Sequence, residues 1–130
     1  MTTKMFTDKD QGTAFIKYTG RIKGGDIKKG LEDLVSNPFF ENIRKNLVDS
    51  STADFSDVLT DEFEACASYC GTGFKDLRIV IVAPSDLSFG LGRMFATLSN
   101  LENILVTRTM EEAISWLDVT LPEEFESQTD

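Results

Sequence analysis

The stretch Leu77–Leu98 constrains this chain more than any other. Leu77-Arg78-Ile79-Val80-Ile81-Val82-Ala83 is apolar on both alternating faces apart from Arg78. That is the pattern of a parallel strand covered by helices on both sides. Pro84-Ser85-Asp86 breaks the strand, and from Leu87 the period changes. Leu87, Leu91, Met94, Phe95 and Leu98 fall on one stripe of a helix, which predicts the face turned to the core. A strand of this kind needs parallel neighbours, and the remaining sequence supplies them.

Before it, Lys4–Phe6 predicts a short strand and Thr13–Ile22 a second, with Ala14, Ile16 and Tyr18 on one face and Phe15, Lys17 and Thr19 on the other. The Asp- and Gly-rich connection between them favours an antiparallel hairpin. A helix follows, with Asp26 as N-cap and Ile27, Leu31, Leu34 and Val35 as its apolar stripe, and Asn37-Pro38 stops it. Phe39 and Phe40 are expected to cover one end of the core. Arg44–Asp49 predicts a third strand, then a loop of hydroxyls and carboxylates, Ser50 to Asp57. The next helix starts between Asp57 and Thr60 and runs to Cys70, where Gly71-Thr72-Gly73 ends it. After the central unit come a strand over Glu102–Thr107 and a helix opened by a capping box, Thr109 with Glu112. Met110, Ala113, Ile114 and Leu117 form the stripe of that helix.

The order is β-β-α-β-α-β-α-β-α. It predicts an α/β fold with a mostly parallel, mixed five-stranded sheet, an N-terminal hairpin and four helices. A single domain is expected over residues 1–121, with an acidic tail over 122–130 that frays. Ligands on such sheets collect at the carboxyl ends of the parallel strands. Here that rim is Ser50–Asp57, Pro84–Gly92 and Thr107–Thr109.

Composition narrows the function. Acidic residues outnumber basic ones 22 to 13, a formal charge of −9, and such a field repels phosphate backbones and anionic lipid surfaces. Nucleic acid is therefore not an expected partner. The loose basic group Lys17, Arg21, Lys23, Lys28 and Lys29 reads as a solvated face. The chain has no histidine, which removes Ser-His-Asp and Cys-His catalysis and the imidazole base. Cys66 and Cys70 share a helical face with Leu59 and Phe63 and read as buried, reduced thiols rather than metal ligands. No cofactor is implied. Met1–Asp10 lacks the apolar core of a signal peptide, and no run reaches the roughly 20 apolar residues of a membrane helix. A cytoplasmic location is the expectation. Ten phenylalanines are many for a small domain; they are expected chiefly to fill the core, the alternative being that some, such as Phe74 or Phe125, lie exposed at a partner surface or the mouth of an apolar pocket.

Two segments carry a family resemblance. Ala83-Pro84-Ser85-Asp86-Leu87-Ser88-Phe89-Gly90-Leu91-Gly92-Arg93-Met94-Phe95 and Met110-Glu111-Glu112-Ala113-Ile114-Ser115-Trp116-Leu117 resemble the SpoIIAA-like family of STAS-fold proteins, a bacterial group also likened to CRAL-TRIO lipid-carrier domains. Tyr18-Thr19-Gly20-Arg21-Ile22 and Pro38-Phe39 extend the likeness over nearly the whole chain. The resemblance implies a regulatory or binding domain rather than an enzyme. In the family's anti-sigma-factor antagonists the working residue is a phosphorylatable serine in Asp-Ser-Ser-Gly. The matching stretch is Asp57-Val58-Leu59-Thr60, so only the aspartate is kept and that switch does not carry over. Ser56 and Thr60 are the nearest hydroxyls and remain candidates for phosphorylation, against a plain N-cap role for Thr60.

The segment Ser85–Arg93 is the candidate ligand site, through Ser85, Asp86, Ser88, Phe89, Gly90 and Arg93. It joins a strand's carboxyl end to a helix N-terminus with free N–H donors, hydroxyls and one arginine, the ingredients of an anion pocket. It is not a P-loop, because Gly90-Leu91-Gly92 lacks the following Lys-Ser/Thr. The alternative is structural: Ser88 caps the helix, the glycines permit close helix–sheet packing, and Arg93 pairs with a carboxylate. Two functions follow, a protein-interaction module using the rim or a carrier or sensor of a small amphipathic or anionic ligand, as monomer or homodimer. An apolar cavity opening near Phe89 and Arg93 favours the carrier, and a solid core favours the module. An enzyme would need Asp54, Asp57 and Asp86 clustered with raised pKa.

Overall fold

The computed structural model describes residues Thr3–Glu126. Five strands form one sheet in the order β1-β2-β3-β4-β5: β1 Thr3–Asp8, β2 Thr13–Arg21, β3 Lys45–Asp54, β4 Arg78–Val82 and β5 Ile104–Thr107. The hairpin β1–β2 is antiparallel and every later pairing is parallel. Helices α1 (Gly24–Val35), α2 (Thr60–Gly73) and α3 (Asp86–Ser99) pack on one face, and α4 (Met110–Leu117) on the other. This is the predicted α/β order, with strands following sequence order across the sheet. No helix among the described residues is long and apolar enough to cross a membrane.

The two faces of β2 divide the core as its alternation requires. Ala14, Ile16 and Tyr18 pack with Ile27, Leu31 and Leu34 of α1 and with Phe63, Cys66 and Cys70 of α2. Phe15 packs with Leu47, Val80, Ala113 and Leu117 beneath α4. Lys17 departs from the solvated face expected of it and is 1% exposed. It stands on the inward face of β2, in register with the buried Asp49 of β3. Beyond that pair β3 carries an extra residue, so that Thr19 faces Thr52. The bulge lets β3 run on to Asp54, and Ser50–Asp54 is strand where a loop was expected.

Several local expectations shift. Lys23, not Asp26, is the N-cap of α1, and the Asp26 carboxylate accepts from the Lys23 N–H at 2.9 Å. Leu59, not Thr60, caps α2 and is largely exposed, and the helix runs past Cys70 to Gly73. Gly71 is needed inside it, since a Cβ there would meet the Ser99 carbonyl of α3. Phe40 packs on the core while Phe39 lies under the Lys9 ammonium, 4.1 Å from its ring centre. Phe74 and Phe125 are both buried, as the favoured core-filling reading expects. Phe125 belongs to a short helix, α5 (Glu123–Glu126), and its ring lies 5.4 Å from that of Phe15, so packed structure continues past Pro122.

The largest difference is the rotation of α3. Its buried residues are Ser88, Gly92 and Ser99, with Leu91 and Phe95 half-buried. Leu87, Met94 and Leu98 face solvent. Small residues win the inner face because the helix lies close to the sheet: a Cβ on Gly92 would stand 3.0 Å from Val106 Cγ1 and 3.7 Å from Ile81 Cγ2. The apolar stripe is thereby turned outward by roughly a quarter turn.

Candidate functional site

The parallel strands β3, β4 and β5 end on one edge, and the N-termini of α2, α3 and α4 rise from it. Ser85 is the N-cap of α3, in place of Ser88, and its Oγ accepts from the Ser88 N–H at 3.1 Å. The two hydroxyls lie 2.7 Å apart, and the Ser88 hydroxyl also reaches the Ser85 carbonyl at 3.2 Å. Both are thus engaged with one another. Asp86 accepts from Arg108 Nη1 at 2.8 Å, and the same nitrogen donates to the Pro84 carbonyl at 3.1 Å. The Arg108 guanidinium stands 4.2 Å over the Phe89 ring. One arginine therefore ties the end of β5 to the strand end and first turn of α3.

Arg93 lies on the exposed side of α3, and its guanidinium makes no hydrogen bond or ion pair among the described residues. Gly90 has open space where a Cβ would stand, so of the two glycines only Gly92 serves helix–sheet packing. Ser85, Asp86, Ser88 and Phe89 are thus brought together, with Gly90 and Arg93 farther along the outer helix surface. Arg108 is the member that the sequence reading passed over. Its signal was present: it is the one cation within Thr107–Thr109, a segment already assigned to the rim.

On the α2 side, Ser56 donates to Asp54 Oδ1 through its N–H at 2.9 Å and its hydroxyl at 2.7 Å. Those two bonds, with Arg21 nearby, hold the Asp54 carboxyl below the usual range, opposite to the raised acid an enzyme would need. Arg21 pairs with Asp57 at 3.5 Å. Thr60 is the first residue of α2 and is exposed.

Beneath the helices the core holds a cavity of about 80 Å³ between the sheet and α1–α3. On α3 it is lined by Ser88, Leu91, Gly92 and Phe95, not by Phe89 or Arg93. Its wall on β3 is Asn46, Val48 and Ser50, the alternate residues of that strand. Asn46 was also passed over, though alternation with Val48 puts it inward on a strand covered from both sides.

No protein-family model and no curated protein matches the sequence. Solved structures do. An uncharacterized protein of the DUF3478 family with a SpoIIAA-like fold, from Shewanella loihica PV-4, superposes with a TM-score of 0.59 at 17% identity, covering 88% of this chain and 91% of that one. The anti-sigma factor antagonist SpoIIAA in its unphosphorylated form superposes with a TM-score of 0.61 at 10% identity, covering 91% of this chain and 99% of that one.

Proposed function

From this SpoIIAA-like fold we propose a non-enzymatic, STAS-type regulatory domain that works in the cytoplasm by docking a protein partner on the carboxyl-end rim. The observation that carries the reading is the exposure of Leu59 at 62% and Leu87 at 56%, at the N-termini of the adjoining helices α2 and α3. Met94 and Leu98 extend the apolar surface along α3. A chain with a net charge of −9 surrounds these leucines with Asp54, Asp57, Asp61, Glu62 and Asp86. The partner that fits presents apolar side chains ringed by Lys and Arg, because the acidic field steers such a surface and the leucines gain by leaving water.

The rim suits binding better than chemistry. The hydroxyls of Ser56, Ser85 and Ser88 are engaged with neighbouring groups, Asp54 is held ionised, and Asp57 and Asp86 each face an arginine. Phosphorylation at Thr60 or Ser56 would add negative charge at the mouth of α2 and alter docking of a basic partner.

Replacing Leu59 or Leu87 with benzoylphenylalanine and irradiating the protein in its host tests the reading. The expected result is one protein cross-linked from both positions, absent when the probe replaces Glu111 on the opposite face. Leu87→Asp should abolish the cross-link from position 59 while the circular dichroism spectrum is kept. Cross-links only from position 111, or none from 59 and 87, overturn the proposal.

A further inference from the structure

The cavity behind α3 has two properties that packing alone does not explain. It is lined almost wholly by apolar groups, among them Ile16, Val48, Phe63, Ile81 and Phe95, and among the described residues no carboxylate, lysine or arginine reaches it. Its titratable members are the Tyr18 phenol and the Cys70 thiol, and burial drives both toward their neutral forms, Cys70 up to about 12. Against this wall stands Asn46, 2% exposed, whose Oδ1 has no hydrogen-bond partner among the described residues. Asn46 sits in the middle strand, in register with Ala14 and Ile79, so its amide faces the cavity. A leucine there would pack without leaving a polar group bare, and an unpaired buried acceptor is disfavoured. Of the three hydroxyls in the lining, those of Tyr18, Ser50 and Ser88, that of Ser88 is engaged with Ser85.

We propose that this cavity binds a small, uncharged, mostly apolar molecule carrying one hydrogen-bond donor, the donor meeting Asn46 Oδ1 and the apolar body lying among Ile16, Val48, Ile81 and Phe95. The absence of a charged lining group excludes carboxylates and ammonium ions, which would be stripped of water with nothing to pair them. The volume, about 80 Å³, is smaller than the roughly 150 Å³ of an apolar cavity that takes up benzene. A short alcohol or a five-membered N–H heterocycle is the matching size. Longer members would pass the half-buried Phe55, Leu91 and Phe95, where the lining meets solvent. Specificity comes from the bare acceptor: a site built around it rejects an isostere that lacks the donor. The inference is independent of docking on the rim, since none of Leu59, Leu87, Met94 and Leu98 lines the cavity.

Pyrrole and furan test it, being flat rings of nearly equal size of which only pyrrole has an N–H to donate. Methyl-detected NMR titration of the full chain should show saturable shifts at Ile16, Val48 and Ile81 with pyrrole, and affinity for furan weaker by about tenfold. Asn46→Leu should erase or reverse that preference while the fold is kept. Val48→Phe, which fills the space, should abolish both titrations and leave the remaining spectrum in place. Equal affinity for the two probes in the unaltered protein would make the cavity an unselective void and overturn the proposal. Absence of shifts at these methyls would overturn it too, leaving Asn46 to a bound water.

Discussion

Arg108 lays its guanidinium 4.2 Å over the ring of Phe89, joining the end of β5 to the first turn of α3. The same side chain holds Asp86 at 2.8 Å. Both interactions lie near the surface, where a stack of this kind contributes about 0.5–1 kcal/mol and an exposed ion pair less than about 1 kcal/mol. Arg108→Ala should therefore lower stability by about 1 kcal/mol in thermal melts. Arg108→Lys should recover only part of that, because an ammonium cannot both stack and reach two acceptors with a planar fork. An Arg108→Ala melt that coincides with that of the unaltered protein would show that the stack and ion pair contribute nothing.

Gly71 and Gly90 should respond to alanine in opposite directions. A Cβ at Gly71 runs into the Ser99 carbonyl, a backbone atom that cannot turn aside. Gly71→Ala should destabilise by about 1–3 kcal/mol as α2 and α3 are forced apart. At Gly90 the space is open on an exposed helix position. Gly90→Ala should stabilise by up to about 1 kcal/mol through helix propensity. Urea titrations of both variants check the pair, and equal signs would contradict the packing described for α2 and α3.

Stability should be lost on the alkaline side. Burial pushes the Cys70 thiol from about 9 up to about 12, and raises Cys66 and Tyr18 as well. The folded state holds these protons more tightly than the unfolded chain, so their contribution is complete below about pH 9 and falls as pH rises toward 12. Melting temperatures measured at steps above pH 8 should decline, and Cys70→Ala should flatten part of that decline. A Cys70→Ala profile parallel to that of the unaltered protein would remove the thiol from the account. Thiol reagents should label the native protein slowly for the same reason.

Arg93→Ala separates folding from binding. The guanidinium makes no hydrogen bond or ion pair among the described residues, so stability should change by less than about 0.5 kcal/mol. Arg93 stands next to Met94 on the outer surface of α3, where its charge opposes a partner ringed by Lys and Arg, so its loss should leave docking intact or strengthen it. A large fall in melting temperature would make the residue structural.

Local patterns in the sequence carry much of this protein. The alternation in Thr13–Ile22 assigned Ala14, Ile16 and Tyr18 to one side and Phe15 to the other, and both clusters are as expected. Thr109 caps α4 as expected, with the Glu112 N–H 3.2 Å from its Oγ1. The Glu112 carboxylate accepts from the Thr109 hydroxyl rather than its N–H, so the box is only half formed. The candidate rim was partly readable: Ser85, Asp86, Ser88 and Phe89 do gather at a helix N-terminus. The place of Arg108 on the rim is legible, but its contacts are not, because Pro84, Asp86 and Phe89 lie far from it in the chain, across a strand junction. The inward place of Asn46 is legible from its alternation with Val48 within Arg44–Asp49, but its unpaired oxygen is not, and the bulge of β3 arises only through pairing with β2.

The sequence by itself determined the succession of strands and helices, because hydrophobic period, caps and turn residues act within a few positions of one another. Tertiary structure decided which side of α3 meets the sheet. The stripe of Leu87, Met94 and Leu98 is the more apolar, yet the side bearing Ser88, Gly92 and Ser99 is buried. Close approach to Val106 and Ile81 leaves no room for a Cβ at Gly92 without a shift, and that distance is a property of the packed sheet, not of the helix. The same rotation leaves the leucines in solvent and the cavity beneath.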